Sequence, residues 1–422
     1  MFKVKNKTQR YKGYKDSGVE WLGEIPEHWE ATRVKNIFRL VVEPAPNNND
    51  FELLSVYTEI GVKPRKELKE KGNKASTTDG YWLVKKGDII VNKLLAWMGA
   101  IGVSNYNGVT SPAYDILRAK VDIESNFYHY LFRNSACISE LKKHSRGIMD
   151  MRLRLYFDKF GDVVIPYPSF DEQKIIVSFL DDKTTKIEDA IAIKEQQIQL
   201  LKERKQILIH KAVTKGLDKN VAFKDSGVVW IGNIPTHWEL KRFKFIAKAN
   251  KGKLPNKIVS NPYNNLPPYM SMEYLRGGIE NQWVSDKDAI VINSGETLLL
   301  WDGSNSGEFI KSRKGVISST VAHIIFKGIN ENFAWYYSTV LEREIRGNTI
   351  GMGIPHVNGK FLNNLSVLLP TISEQKEISA YIENASQKIE TAIGLKQEEI
   401  AKLKEYKSSL INGVVTGKVK VC

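Results

Sequence analysis

The sequence predicts a mixed α+β fold of pseudo-two-fold design, in which two α/β halves are joined by two long helices that pair as an antiparallel coiled coil. Three observations predict it. The block KDSGVEWLGEIPEHWE starting at Lys15 returns as KDSGVVWIGNIPTHWE starting at Lys224, with twelve of sixteen positions identical. A second block, Pro168, Ser169, Phe170, Asp171, Glu172, Gln173 and Lys174, returns as Pro370, Thr371, Ile372, Ser373, Glu374, Gln375 and Lys376. Downstream of each copy of the second block, apolar residues recur with heptad spacing. Self-similarity at this distance marks a duplicated unit.

The blocks divide the chain into four segments: a first half over 1–167, a first long helix over 168–217, a second half over 218–369, and a second long helix with its tail over 370–422. Between the blocks the halves barely resemble each other. Faint matches remain: Gly87-Asp88 with Gly295-Glu296, Gly108-Val109 with Gly315-Val316, and Asn126-Phe127 with Asn332-Phe333. Their offset drifts from 209 at the first block to 202 at the second, as small deletions in one copy of a duplicated domain leave it. The interiors, about 31–167 and 240–369, are therefore expected to share a fold and differ in surface. Short apolar runs at Ile89–Val91 and Leu298–Leu300, the β-branched stretch Gly315–Ile325, and Gly, Asn and Pro punctuation point to mixed α/β structure.

Each second block opens a helix. Ser169 with Glu172, and Thr371 with Glu374, have the spacing of a capping box, in which hydroxyl and carboxylate satisfy orphan backbone donors. The seam of the first helix is Ile187, Ile191, Ile198, Leu201 and Leu208, with Lys194 and Lys205 also on it. The second repeats it as Ile389, Ile393, Ile400, Leu403 and Leu410, with Lys396 and Lys407. A lone apolar stripe usually means a core helix, but two long helices with one pattern are natural partners. Under a pseudo-two-fold axis they run antiparallel, which puts the halves at opposite ends. The first helix continues through Ala212, Val213, Thr214, Lys215 and Gly216 into the second Trp-rich block. The second stops after Val414, Val415, Thr416 and Gly417, and what should follow it stands at the start of the chain. The sequence reads as a ring of two units cut at one joint.

Composition narrows the function. The chain has 42% hydrophobic and 26% charged residues, as core-forming proteins do. No apolar run approaches the roughly 18 residues of a membrane span, and the start MFKVKNKTQR lacks the apolar stretch of a signal peptide, so a cytoplasmic address is expected. Two cysteines far apart, Cys137 and Cys422, make neither a disulfide framework nor a thiolate metal site. Sixty-two Lys and Arg against 48 Asp and Glu leave +14, which favours an anionic partner, nucleic acid first.

Basic residues near loops are the candidate DNA contacts: Lys93, Lys142, Lys143, Arg146, Arg152 and Arg154 in the first half, and Lys311, Arg313, Lys314, Arg343, Arg346 and His356 in the second. Singly, each is as readily a solvated surface residue; the collective excess carries the reading. Arg and Lys neutralise phosphates and read guanine edges while Asn and Gln read adenine, so the loops Ser104–Gly108 and Gly347–Gly359 are plausible readers. His28 and His237, beside Trp29 and Trp238, have no nucleophile or carboxylate placed by motif. With Trp21 and Trp230 they are expected to dock each block onto the frame.

Catalytic motifs fail. Asn265-Leu266-Pro267-Pro268-Tyr269 is close to the Asn-Pro-Pro-Tyr loop of amino methyltransferases, but Leu266 breaks it and no strand-Gly-x-Gly loop precedes it. Glu172-Gln173-Lys174 with Asp162 has the look of a nuclease centre, but its repeat Glu374-Gln375-Lys376 also sits in a helix's first turn, where capping accounts for the glutamate. No phosphate-binding Walker loop or metal motif is present in the sequence, and no catalysis, metal or bound cofactor is expected of the chain itself.

The chain resembles the specificity subunit of type I restriction-modification systems. The resemblance covers essentially the whole chain and is carried by four features: Val213-Thr214-Lys215-Gly216-Leu217-Asp218 leading into KDSGVVWIGNIPTHWE, the Pro-x-x-x-Glu-Gln helix openings, the Val415-Thr416-Gly417-Lys418 ending, and the duplication. It implies two target recognition domains, each reading one half of a split double-stranded DNA target, with the paired helices as a ruler. It further implies two modification subunits that carry S-adenosylmethionine and methylate adenine, and restriction subunits that translocate and cleave in host defence. The seam from Thr184 to Thr214 would be about 46 Å long at roughly 1.5 Å per residue, against about 34–36 Å for a DNA turn. That suits half-sites about one turn apart. Two rival readings differ in class: a non-catalytic protein-interaction scaffold whose charge only aids solubility, and a stand-alone sequence-specific DNA-binding protein.

Overall fold

Four short apolar runs in each half pair into one antiparallel sheet, and the two sheets have the same strand order. The computed structural model describes residues 9–67, 78–147, 153–261, 265–286 and 289–421. In the first half β1 (Phe38–Val41), β2 (Ile89–Asn92), β3 (Ile101–Val103) and β4 (Tyr114–Ala119) lie in the order β1-β4-β2-β3. In the second, β5 (Ala247–Lys251), β6 (Thr297–Leu300), β7 (Phe309–Lys311) and β8 (Val321–Phe326) lie in the order β5-β8-β6-β7. The match of Gly87-Asp88 with Gly295-Glu296 is one turn used twice. Both glycines take left-handed backbone (φ 94° and 91°), which favours glycine, and donate their N–H to a serine carbonyl, Ser104 and Ser312.

Five helices frame these sheets: α1 (Ser125–Arg133), α2 (Ser135–His144), the long α3 (Phe170–Lys215), α4 (Glu331–Gly347) and the long α5 (Ile372–Val415). β2 and β6 are buried on both faces, which is why they read as continuous apolar runs rather than alternating ones. Ile89 and Val91 join the helix-side core with Phe127 and Leu131, whereas Ile90 joins the opposite core with Val41, Leu54 and Ile116. In the second half Leu299 joins Phe333 and Tyr337, whereas Leu298 and Leu300 join Met270, Leu275 and Ile317. Each sheet thus separates a frame-side core from a smaller outer one. Arg133 ties the outer layer down in the first half by donating to the carbonyls of Tyr57, Thr58, Glu59, Gly99 and Ile101.

Compactness divides the chain into two units, 1–195 with 397–422, and 196–396. The boundaries fall inside both long helices, so each unit contains the beginning of one and the end of the other. In the first unit Ile187 and Ile191 cluster with Leu403 and Leu410. There Glu188 meets Lys407 at 2.5 Å and Lys194 meets Glu399 at 2.5 Å, so one number falls as the other rises and the helices run antiparallel. In the second unit Lys205 meets Glu390 at 2.6 Å, the repeat counterpart of the Glu188–Lys407 pair. Ile198, Leu201, Leu208, Ile389, Ile393 and Ile400 are buried or half-buried. The seam lysines are half-buried stems with their ammonium groups on glutamates of the facing helix.

The helix ends close the units. Leu410, Val414 and Val415 of α5 join Trp29, Ile25 and Leu22 in the first core; Ile209, Ala212 and Val213 of α3 join Trp238, Ile231 and Ile234 in the second. Gly417 follows α5 in left-handed backbone, and a Cβ there would meet Pro26 at 2.3 Å and Trp29 at 3.1 Å. Gly216 follows α3 in the same way against Trp238. Lys418 Nζ donates to the Glu24 carbonyl and Lys215 Nζ to that of Asn233. The chain's end therefore seats on the first Trp block as α3 seats on the second.

The histidines of these blocks are docking residues. His28 Nε2 lies 3.0 Å from Glu172 Oε2, and His237 Nε2 lies 2.7 Å from Glu374 Oε1. Gln173 accepts the Glu124 N–H and donates to the Pro168 carbonyl; Gln375 accepts the Asn330 N–H and donates to the Pro370 carbonyl. The repeated Glu-Gln pair thus holds the Trp block with its first residue and the start of α1 or α4 with its second. The expected capping box closes at Thr371, whose N–H donates to Glu374 while its hydroxyl accepts the Glu374 N–H. At the first copy the Ser169 hydroxyl likewise accepts the Glu172 N–H, at 3.4 Å, but the carboxylate is engaged differently. Glu172 gives its oxygens to Tyr11, at 2.8 Å, and to His28, because Tyr11 has no tyrosine counterpart in the second copy. There the indole N–H of Trp238 donates to Glu374 instead, at 3.1 Å.

Burial opposes ionisation of Glu374, but the hydrogen bonds from His237, Trp238 and Thr371 prevail and hold its carboxyl at about 2. A carboxyl lowered on folding contributes stability above its ordinary value near 4.5 and loses it as pH falls through about 2. Glu374→Gln should therefore cost on the order of 1 kcal/mol at neutral pH, after screening of a partly exposed group. In urea unfolding the gap between the two proteins should close as the pH falls from about 4.5 towards 2. A gap constant over that range would show that the ionised carboxylate is not what holds the block.

Candidate nucleic-acid interface

The structure sorts the basic residues by the end of the sheet they occupy. In the first unit the loop leaving β2 starts at Lys93, whose carbonyl accepts the Leu155 N–H. Arg146 and Arg154 exchange two backbone hydrogen bonds, 2.9 and 2.8 Å, and this bridge lies against that loop. Lys142 lies over the Trp97 ring at 5.3 Å. The sheet's exit loop, α2 and the bridge thus bring Lys93, Lys142, Arg146 and Arg154 to one end. Arg152 lies outside the described residues.

These cations are not equally available. Lys93 lies 3.2 Å from Asp115, whose carboxyl is raised by burial against the pull of that lysine, and also donates to the Pro112 carbonyl. Arg146 lies 3.5 Å from Asp158, and Lys143 3.0 Å from Glu140. Arg154 is exposed and, with Lys93, Leu94, Ala113 and Tyr156, lines a hollow of about 260 Å3.

The second unit repeats the arrangement with different chemistry. The loop leaving β6 starts at Trp301, whose carbonyl accepts the Val357 N–H, and Ile350 and His356 exchange two backbone hydrogen bonds that close a hairpin. His356 Nδ1 lies 2.7 Å from Asp302 Oδ1, and Lys251 Nζ lies 2.9 Å from Asp302 Oδ2. Burial would raise the Asp302 carboxyl, but its bonds to Lys251 and His356 hold it below the ordinary range. Arg346 reaches this end too, 3.2 Å from Glu308 on the loop after β6. Lys251, Trp301 and Asp302 were not among the sequence candidates. Trp301-Asp302-Gly303 directly after an apolar run was the available signal, but the approach of Lys251 and His356 is tertiary.

The remaining candidates lie elsewhere. Lys311, Arg313 and Lys314 flank Ser312, at the opposite end of β6, where Gly295 donates to Ser312. Lys311 lies over the Trp335 ring at 4.7 Å, and burial lowers its pKa. Arg313 stacks on Tyr274 at 4.0 Å and donates to the carbonyls of Tyr274 and Gly278; Lys314 is exposed. Arg343 lines a hollow with Trp230 and with Gln206 and His210 of α3. The Ser104–Gly108 loop shares the Ser312 end of the repeat: Ser104 is buried, and the Asn107 side chain accepts the Lys86 N–H. Gly347–Gly359, by contrast, contains the exit-end hairpin.

The catalytic look-alikes have structural partners. Pro267 and Pro268 accept backbone hydrogen bonds from Val284 and Val316, and Asp162 lies 2.7 Å from Lys35. Among the described residues no group of three or more His, Cys, Asp or Glu side chains could hold a metal ion. No described helix is long and apolar enough to cross a membrane.

A reader module present twice, with one frame and two different exit ends, is the class this geometry defines. The family described as the Type I restriction modification DNA specificity domain matches residues 26–203 and again 235–403, and the chain belongs to that family. The type I restriction enzyme MjaVIII specificity subunit of Methanocaldococcus jannaschii is 34% identical over 186 residues, 43% of this chain and 43% of that one. The putative type I restriction enzyme MjaX specificity subunit of the same organism is 24% identical over 425 residues, 95% of this chain and 96% of that one. Two solved structures share the fold at 16% identity. One belongs to work on complex assembly and conformational transition of the type I R-M system, with TM-score 0.72 over 93% of this chain and 98% of that one. The other is the HsdS subunit from Thermoanaerobacter tengcongensis, with TM-score 0.55 over 94% and 98%.

The two ends of the sheet predict two kinds of variant. Arg313→Ala strands two carbonyls and a stacked ring, and should lower stability by about 1–3 kcal/mol. Arg154→Ala keeps its backbone bridge and should leave the melting curve unchanged. Calorimetry on the full chain tests both, and equal losses would remove the distinction.

Proposed function

We propose that this chain is the DNA specificity subunit of a type I restriction-modification complex, in which each unit reads one half of a bipartite double-stranded target. The observation that carries this reading is the duplication itself: one strand order, one Trp-block lock and one exit-end backbone bridge occur twice, while the residues displayed there differ. A pure scaffold has no use for two unlike faces on identical frames. Arg154, Lys142, Arg346 and His356 supply phosphate and base contacts, and the paired helices fix the spacer and dock two modification subunits.

The chain itself catalyses nothing and binds no cofactor in this proposal. S-adenosylmethionine belongs to the modification subunits, which flip and methylate adenine, and restriction subunits join the same assembly in the cytoplasm. A separate, rigid reader suits base flipping, because the enzyme that extrudes a base must be held in register by contacts outside its own pocket. Phosphate contacts supply much of the affinity, so binding falls steeply with salt.

Single-molecule methylation mapping tests this in cells with and without the chain, each carrying the modification subunit. A split adenine-methylated motif should appear only with the chain, and exchanging residues 240–369 for those of a relative should change one half of it. Inserting one heptad at the same level of both α3 and α5 adds about 10.5 Å, so the unread spacer should grow by about three base pairs. A continuous motif, or one indifferent to the chain, refutes the proposal.

A further inference from the structure

The hairpin that Ile350 and His356 close presents apolar side chains to solvent on a braced backbone. Met352 at its tip is fully exposed (107%), and Ile354 and Ile350 are 61% and 54% exposed. The hairpin is held at every point where it could be loose. Ile350 and His356 exchange hydrogen bonds of 2.9 and 2.7 Å, Gly303 donates to the Pro355 carbonyl, and Val357 donates to Trp301. The His356 ring lies against Asp302, which also takes Lys251. Gly351 and Gly353 adopt left-handed backbone, and a Cβ on Gly351 would meet the Ile354 carbonyl at 2.5 Å. Glycine is therefore required for the turn, and the turn is what lifts Met352 clear of the domain.

Three exposed apolar residues on a rigid tip are costly in water and need a partner. The surroundings select one: His356 closes the base of the hairpin, Lys251 meets it there through Asp302, and Arg346 lies in the last turn of the helix that leads into it, so an approaching surface meets cations around an apolar point. The same end of the first unit repeats the combination, with Leu94, Leu95 and Met98 exposed on the loop after β2, near Lys142 and Arg154.

We infer that the Ile350–His356 hairpin is a wedge, with Met352 entering between adjacent base pairs of the half-site read by the second unit while the flanking cations hold the phosphates. Apolar side chains that unstack a base step are a recognised device of DNA-binding proteins, and Met is unbranched and polarisable enough to fit between bases. The wedge contributes specificity without hydrogen bonds to base edges, because pyrimidine–purine steps open most readily. The inference rests on the DNA-reading proposal above.

The test uses the chain assembled with its modification subunit and a duplex carrying the mapped motif, with 2-aminopurine placed in turn at each position of the second unit's half-site. Fluorescence should rise at one step other than the methylated adenine, which brightens through flipping. Met352→Ala should abolish that rise and lower affinity about tenfold, while Met352→Leu, which remains apolar, should restore both. The melting temperature of the protein should stay unchanged, since Met352 is fully exposed, and at saturating protein the flipped adenine should still brighten. Bound and methylated DNA with no second rise, or a rise that survives Met352→Ala, overturns the wedge and leaves the specificity role intact. Loss of the modification subunit from Met352→Ala preparations would make the tip a protein contact and also overturn it. Absence of any binding or methylation overturns both proposals.

Discussion

Each unit depends on a buried tryptophan that is covered by the end of a long helix. Trp29 and Trp238 are almost wholly inaccessible, and glycine is required where the backbone after α5 and α3 passes over them. Without Val414, Val415 and Gly417 the first unit would expose the centre of its frame-side core, and without Ala212, Val213 and Gly216 so would the second. Folding of the first unit therefore requires a contact across most of this sequence, since Val414, Val415 and Gly417 of α5 cover Trp29. The second is closed by α3, which directly precedes its Trp block. The His–Glu and Gln contacts then orient α1 and α4 relative to these lids.

Much of this was legible in the sequence, and the reason is physical. A buried tryptophan, a glycine with no room for a Cβ and a glutamine that satisfies two backbone groups tolerate little change, so the duplicated copies remain nearly identical there. The heptad seam was legible because a helix exposes its period directly. The site was far less so. Lys93 and Lys311 are equally good lysines in sequence, yet both are drawn back into the domain, one by Asp115 and one by Trp335. Arg313 is spent on two carbonyls and a ring. Lys251 and Asp302, which brace the hairpin, come together only through the pairing of β5 with β8 and of β8 with β6. The capping spacing of Ser169 and Glu172 showed the hydroxyl's bond to the Glu172 N–H but not the carboxylate's bonds to Tyr11 and His28, since Tyr11 has no counterpart at Asn220.

The two-faced burial of β2 and β6 explains how the copies could diverge without losing the fold. Ile89, Val91 and Leu299 pack towards the frame, where α1, α4 and the Trp blocks constrain them. Ile90, Leu298 and Leu300 pack into small outer cores of eight buried residues each, in which Val41, Ile116 and Val321 of neighbouring strands meet residues from outside the sheet. Such a layer can be rebuilt with any set of side chains of suitable volume, because packing density matters there more than identity.

The seam lysines settle the direction of the helix pair. An all-apolar seam would be more stable, since partly burying a lysine costs desolvation that an exposed ion pair barely offsets. Lys194, Lys205 and Lys407 nevertheless occupy seam positions, and each meets a glutamate of the facing helix. In a parallel pairing at the repeat register, Lys205 would stand against Lys407, Lys194 against Lys396, and Glu188 against Glu390. That arrangement sets like charges opposite one another at three levels, with no partner to relieve them. The antiparallel arrangement converts Glu188–Lys407 and Lys205–Glu390 into symmetric attractive pairs. Charge at the seam thus lowers the stability of the correct pairing slightly and that of the parallel alternative much more. A duplicated sequence benefits from that discrimination, because two helices that carry the same apolar seam could otherwise pair in either direction.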